Sequence, residues 1–147
     1  MLSLYKSSAG SGKTHTLVLE YLKIVLARPE IYRSILAVTF TNKATDEMKG
    51  RIISSLSDLS TQSEEELLNN PMFLGLQDHF SNTDQKLAPN FSIRKHARKA
   101  LSLILNDYSN FSVSTIESFF QRILRAFARE LNIHLGYDVE TKNSLVL

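Results

Sequence analysis

Apolar and polar positions follow two rhythms along this chain, and the switches between them mark its elements. Met1 to Tyr5 is a short apolar run, long enough for a buried strand. Thr14 to Ala27 reads as a helix with Leu17, Tyr21, Ile24 and Val25 on one face. It stops at Arg28, because Pro29 disfavours helix in the residue before it. Ser34 to Phe40 is the next strand, and its apolar run suits a parallel strand covered on both faces. A second helix, about Ala44 to Leu59, repeats Ala44, Met48, Ile52, Leu56 and Leu59, with Asp46 and Glu47 in its first turn complementing the dipole.

From Ser60 to Asn90 the rhythm weakens. Glu64 to Leu68 and Met72 to Phe80 read as short helices. Ser92 then N-caps a helix to about Asp107, with Ile93, Ala97, Leu101, Ile104 and Tyr108 as its buried stripe. Its Arg94, Lys95, Arg98 and Lys99 form either a solvated face or a phosphate-binding cluster. Phe111 to Ser114 is a third short strand. Ser114 or Thr115 caps a last helix, about Ile116 to Leu131, whose wide apolar stripe is Ile116, Phe119, Phe120, Ile123, Leu124, Phe127 and Leu131. Arg122, Arg125 and Arg129 share its other side, and the tail Gly136 to Leu147 carries no stop signal.

Strands alternating with helices predict the α/β class: a parallel sheet with flanking helices and a helical insertion at about 60–108. In such a sheet the loops leaving the strands' C-terminal ends lie along one edge, where ligands bind. That edge collects Ser7 to Thr14, Thr39 to Lys43 and Ser114 to Ser118.

The first of these segments carries chemistry. Ser7-Ser8-Ala9-Gly10-Ser11-Gly12-Lys13-Thr14 joins a predicted strand to a helix, the context a phosphate-binding loop requires. Gly10 and Gly12 let backbone N–H groups turn toward phosphate, and the helix adds its positive end. Lys13 would reach the β- and γ-phosphates of ATP, and the Thr14 hydroxyl would hold Mg²⁺. Ser8, Ala9, Gly10, Ser11, Gly12, Lys13, Thr14 and the adjoining His15 are the candidate nucleotide-binding residues, with Lys13 and Thr14 the catalytic pair. Ser7 stands where the usual pattern has Gly or Ala. The competing reading is a plain Gly/Ser turn.

Composition narrows the picture only modestly. The 147 residues, 43% hydrophobic and 22% charged, suit about one globular domain. No apolar stretch approaches the ~20 residues needed to span a membrane. Direct entry into a strand leaves no room for a signal peptide, and the absence of cysteine removes disulfides and thiolate metal sites. The expectation is a cytoplasmic protein without membrane contact. Residues 1–57 hold eight Lys/Arg against four Asp/Glu, residues 58–89 one against six, and residues 90–147 eight against five. An acidic middle between basic lobes is compatible with a polyanion partner or with a solvated surface.

The same three segments resemble motifs of the UvrD/Rep-type superfamily 1 DNA helicases. The form is closest to the RecB/AddA branch, like the beta subunit of exodeoxyribonuclease V. Ser8 to Thr14 looks like their motif I. Ile35 to Ala44, with Glu47-Met48 and Arg51-Ile52, is similar to motif Ia. Val113 to Phe119, with Gln121 to Leu124, resembles motif Ib. The resemblance implies the N-terminal part of a first RecA-like ATP-binding domain of the P-loop NTPase fold, an incomplete domain. It implies ATP and Mg²⁺ as cofactors and single-stranded DNA as a partner. Further implied partners are the remaining helicase chain after residue 147 and a second helicase-nuclease subunit.

In that family motif Ia faces single-stranded DNA, which makes Thr39, Phe40, Thr41 and Asn42 candidate contacts. Phe40 either stacks on a base, worth ~1–3 kcal/mol, or closes the core of its strand. In motif Ib, Thr115 and Ser118 are candidates. Glu117 stands where His is common, and its charge repels phosphate. Missing are an Asp-Glu strand-end pair to position the attacking water and a nameable arginine finger. None of the four histidines has a partner at metal-ligand spacing. A small P-loop kinase or other phosphotransferase, and a non-catalytic nucleotide-binding module, are the alternatives. Without the catalytic acid, the purified chain is expected to give no sustained ATP turnover in a phosphate-release assay, and steady turnover would refute that reading.

Overall fold

The computed structural model describes residues 12–82 and 90–130. The predicted first strand, the loop residues Ser7 to Ser11 and the tail therefore lie outside the described residues. Six helices and two strands follow in the order α1 (Lys13–Ala27), β1 (Ala37–Thr39), α2 (Asn42–Thr61), α3 (Glu64–Leu68), α4 (Pro71–Ser81), α5 (Asn90–Asn106), β2 (Val113–Thr115) and α6 (Ile116–Glu130). Short 3₁₀ turns, Pro29–Ser34 and Tyr108–Asn110, precede the two strands. The described part is mostly helical, with a two-stranded parallel sheet.

The core is a helix assembly. α2 and α5 pack along one another, and α1 lies against both and against α4. Met48, Ile52, Leu56 and Leu59 of α2 meet Ile93, Ala97, Ala100 and Ile104 of α5 in one continuous apolar cluster. α1 contributes Val18, Tyr21, Leu22, Val25 and Leu26. Leu17 and Ile24, expected on the buried face, are exposed instead. α1 is apolar on more than one side, and the helices packed on it chose which side to cover. At α4, a Cβ on Gly75 would come within 3.2 Å of Leu19 Cδ2, so the α1–α4 approach is close.

Several boundaries moved for identifiable reasons. Only Ala37–Thr39 of the predicted Ser34–Phe40 strand pairs, and Leu36 and Val38 are exposed rather than covered on both faces. The 3₁₀ segment that opens at Pro29 runs as far as Ser34 and takes up the start of that stretch. α2 starts at Asn42, because the Thr41 side chain caps it by accepting from Ala44 N at 3.1 Å. Asp46 and Glu47 therefore lie beyond the first turn, where Glu47 pairs with Arg51 at 2.8 Å. Ser92 is inside α5, not its cap, since the helix begins at Asn90. Leu101 and Tyr108 are only partly covered, and Tyr108 lies under the Lys49 ammonium, 5.3 Å from ring centre.

The basic cluster of α5 has structural work. Arg94 Nη2 donates to Gln62 O at 2.7 Å and Arg98 Nη2 to Ser60 O at 3.4 Å. Both guanidinium groups thus meet the carbonyls at the negative end of α2. Lys99 pairs with Glu30, and Lys95 stays exposed.

A second tie holds the turn before β1 to the segment before β2. Tyr32 is buried, and its hydroxyl donates to Asp107 Oδ2 at 2.8 Å. Asn110 Nδ2 donates to Asp107 Oδ1 at 2.9 Å, and Arg33 Nη2 reaches Oδ2 at 2.7 Å. The Tyr32 hydroxyl first, then Asn110 and Arg33, hold the Asp107 carboxyl below its ordinary value of 3.8. The stabilisation from this depressed pKa is present above 3.8 and lost as pH falls through the lowered folded-state value. Tyr32→Phe is expected to raise the Asp107 pKa toward 3.8 in a carbon-detected NMR titration; an unmoved midpoint would assign the depression to another group.

Candidate nucleic-acid and nucleotide interface

Two of the three predicted strand exits are brought together. Ala37 pairs with Val113, Val38 with Ser114 and Thr39 with Thr115, in parallel. Thr39 and Thr115 therefore end neighbouring strands, and each strand turns at once into a helix. In both turns a threonine hydroxyl caps the new helix. Thr41 Oγ1 accepts from Ala44 N at 3.1 Å at the start of α2. Thr115 Oγ1 accepts from Ser118 N at 3.2 Å at the start of α6, and donates to Ser118 Oγ at 2.8 Å. The result is two positive helix ends side by side, with Thr41, Asn42 and Ser118 exposed and Thr115 buried.

Phe40, in the turn that leaves β1 between Thr39 and Thr41, has 90% of its surface exposed. The alternative in which its ring closes the core of β1 is thus overturned. Thr39 is half-buried, and its hydroxyl bonds inside the turn rather than facing solvent. Glu117 is exposed, and Gln121 Nε2 donates to it at 3.4 Å.

The nucleotide half is partly described. Gly12 is the N-cap of α1 and supplies no side-chain cap. Its carbonyl accepts from Thr16 N at 3.0 Å and from Thr16 Oγ1 at 2.9 Å. Among the described residues no side chain caps the first turn of α1. Thr14 is half-buried and His15 exposed. Ser8, Ala9, Gly10 and Ser11 lie outside the described residues. Among the described residues no group of three or more His, Asp or Glu could hold a metal ion, and no helix is long and apolar enough to cross a membrane.

The family pattern described as the UvrD/REP helicase N-terminal domain matches residues 3–146. The chain belongs to that family. Membership implies the P-loop NTPase fold, with which a parallel β1–β2 pair flanked by helices is consistent. The chain is 31% identical over 135 residues to the RecBCD enzyme subunit RecB of Escherichia coli (strain K12), covering 86% of this chain and 10% of that protein. It is 32% identical over 155 residues to the RecB subunit of Buchnera aphidicola subsp. Acyrthosiphon pisum (strain APS), covering 99% and 12%. It is 34% identical over 137 residues to an ATP-dependent helicase/nuclease subunit of Bacillus pumilus (strain SAFR-032), covering 91% and 8%. The chain thus spans about a tenth of the length of these relatives. No solved structure matches.

Two side chains at the helicase-family turns make contacts that spacing did not indicate, Thr45 unnamed in the sequence motifs and Arg122 placed only on the far side of the last helix. Thr45 is buried beneath the Thr39–Thr41 turn, and Arg122 Nη2 reaches back from α6 to Ser114 Oγ at 3.0 Å. The available signal for Thr45 was its place four residues after Thr41, where a threonine hydroxyl can bond the i−4 carbonyl. Removing the α2 cap tests the local geometry. Thr41→Ala is expected to cost ~1 kcal/mol in a denaturant titration while Thr41→Ser stays close to the parent; equal loss in both would deny the cap its role.

Proposed function

We propose that this chain is the N-terminal part of an ATP-dependent DNA helicase or translocase, from a recombination-repair helicase-nuclease. Ser8 to His15 would bind ATP, with Lys13 on the β- and γ-phosphates and Thr14 holding Mg²⁺, which would neutralise developing phosphate charge. Thr39, Phe40, Thr41, Asn42, Thr115 and Ser118 would contact single-stranded DNA. Family membership supports this reading, and the observation that carries it is the exposed ring of Phe40.

An aromatic ring held in water beside two capped helix starts is poor for stability and good for stacking. Stacking accepts any base, as a translocating motor requires. The neighbouring Thr and Asn side chains and helix N–H groups suit phosphate oxygens. Glu117 disfavours phosphate at its own position, so Thr115 and Ser118 would carry the α6 side. A small-molecule kinase gives no reason for an exposed Phe40 at this edge. The proposed partners are the rest of the chain after residue 147 and a second subunit, and the proposed compartment is the cytoplasm.

The test is titration of a labelled single-stranded oligonucleotide at two salt concentrations. Binding is expected to weaken with salt, and Phe40→Ala to lower affinity by ~1–3 kcal/mol. A folded Phe40→Ala chain with parental affinity overturns the DNA assignment.

A further inference from the structure

We infer that Thr45, which touches neither proposed ligand, is the positioning residue that holds Phe40 out for stacking; the inference rests on the DNA reading above. Phe40 is flanked by two residues whose backbone is pinned from below. Thr39 Oγ1 and Thr45 Oγ1 are 2.6 Å apart. The Thr41 carbonyl lies 3.0 Å from Thr39 Oγ1 and 3.1 Å from Thr45 Oγ1, and it accepts from Thr45 N at 3.0 Å.

Two hydroxyl protons serve three hydroxyl contacts. One hydroxyl therefore donates to the carbonyl while the other donates to its neighbour. The knot ties the last residue of β1, the residue after Phe40 and the first turn of α2 to a single buried point. Thr39 is held in addition by its register with Thr115, and Thr41 by its own capping bond. Phe40, between them, has little backbone freedom, and its ring stays in solvent although apolar burial favours the opposite.

Thr45 is the closing piece of this knot. Its residue is 7% exposed, and its hydroxyl bonds within the turn to Thr39 Oγ1 and the Thr41 carbonyl. Without its hydroxyl, Thr39 Oγ1 loses its buried partner, and the turn keeps the Thr39 bond to the Thr41 carbonyl, the backbone bond from Thr45 N and the Thr41 cap. A mobile Phe40 must be ordered again on each stacking event, which weakens binding.

The experiment uses the whole chain and a fluorescent polythymidine oligonucleotide, with circular dichroism confirming that each variant is folded. Thr45→Val is expected to weaken binding on the order of tenfold, part of the stacking contribution. Thr45→Ser restores it, and Thr45→Val combined with Phe40→Ala binds no worse than Phe40→Ala alone. The salt slope of Thr45→Val stays parental, because no phosphate contact is removed. If Phe40→Ala weakens binding and Thr45→Val does not, or if the two losses add, the inference fails and the DNA reading stands. If Phe40→Ala leaves affinity unchanged, or the parent chain binds no oligonucleotide, the DNA reading itself fails and this inference with it.

Discussion

Three residue pairs between β1 and β2 decide where the two DNA-facing turns proposed above lie. Because the pairing is parallel and Thr39 faces Thr115 across it, two segments far apart in sequence end at the same level. Each must then turn into a helix, and each turn exposes N–H groups that need an acceptor. Threonine hydroxyls supply one acceptor per turn. What remains is a pair of positive helix ends on neighbouring strands, with the exposed Phe40 ring just before the first of them. A register shifted by a single residue would exchange the faces of β2 and misplace its threonine cap.

So short a sheet does not hold itself. Isolated short strand pairs are marginal in water, and here the helices supply the missing constraint. α2 runs directly from the β1 turn, and its far end is closed by Arg94 and Arg98 of α5. Behind the strands, Tyr32 and Arg33 grip Asp107, tying the turn before β1 to the turn before β2. The proposed site is thus fixed from both directions.

The apolar surface left uncovered is also informative. Phe120, Leu124 and Phe127 of α6 are 57%, 52% and 57% exposed, and they lie three and four residues apart, on one face. Val38 of β1 and Leu36 just before it are exposed as well, beside Leu17 and Ile24 of α1. A groove of about 300 Å³ runs along that strand, lined also by Tyr21 and Met48. Tyr21 is almost wholly buried, yet among the described residues its hydroxyl has no hydrogen-bond partner, and burial raises its pKa. Apolar faces of this kind are ordinarily sites of contact with further protein.

What the sequence settled by itself was local. Helical spacing located α2, α5 and α6, because periodicity is a property of neighbouring residues and needs no partner. A cap at Ser114 or Thr115, which the structure assigns to Thr115, and the stop before Pro29 were legible for the same reason, and the motif resemblance named the family from three short segments. Tertiary structure decided what depends on distant neighbours. It chose Val18, Leu22 and Leu26 over Leu17 and Ile24 as the buried face of α1, and turned Arg94 and Arg98 from a solvated face or phosphate cluster into caps for α2. It also placed Phe40 in solvent and Thr45 beneath it. Spacing says which residues share a face; only packing says which face meets protein and which meets water, since burial is a relation between elements and not a property of one.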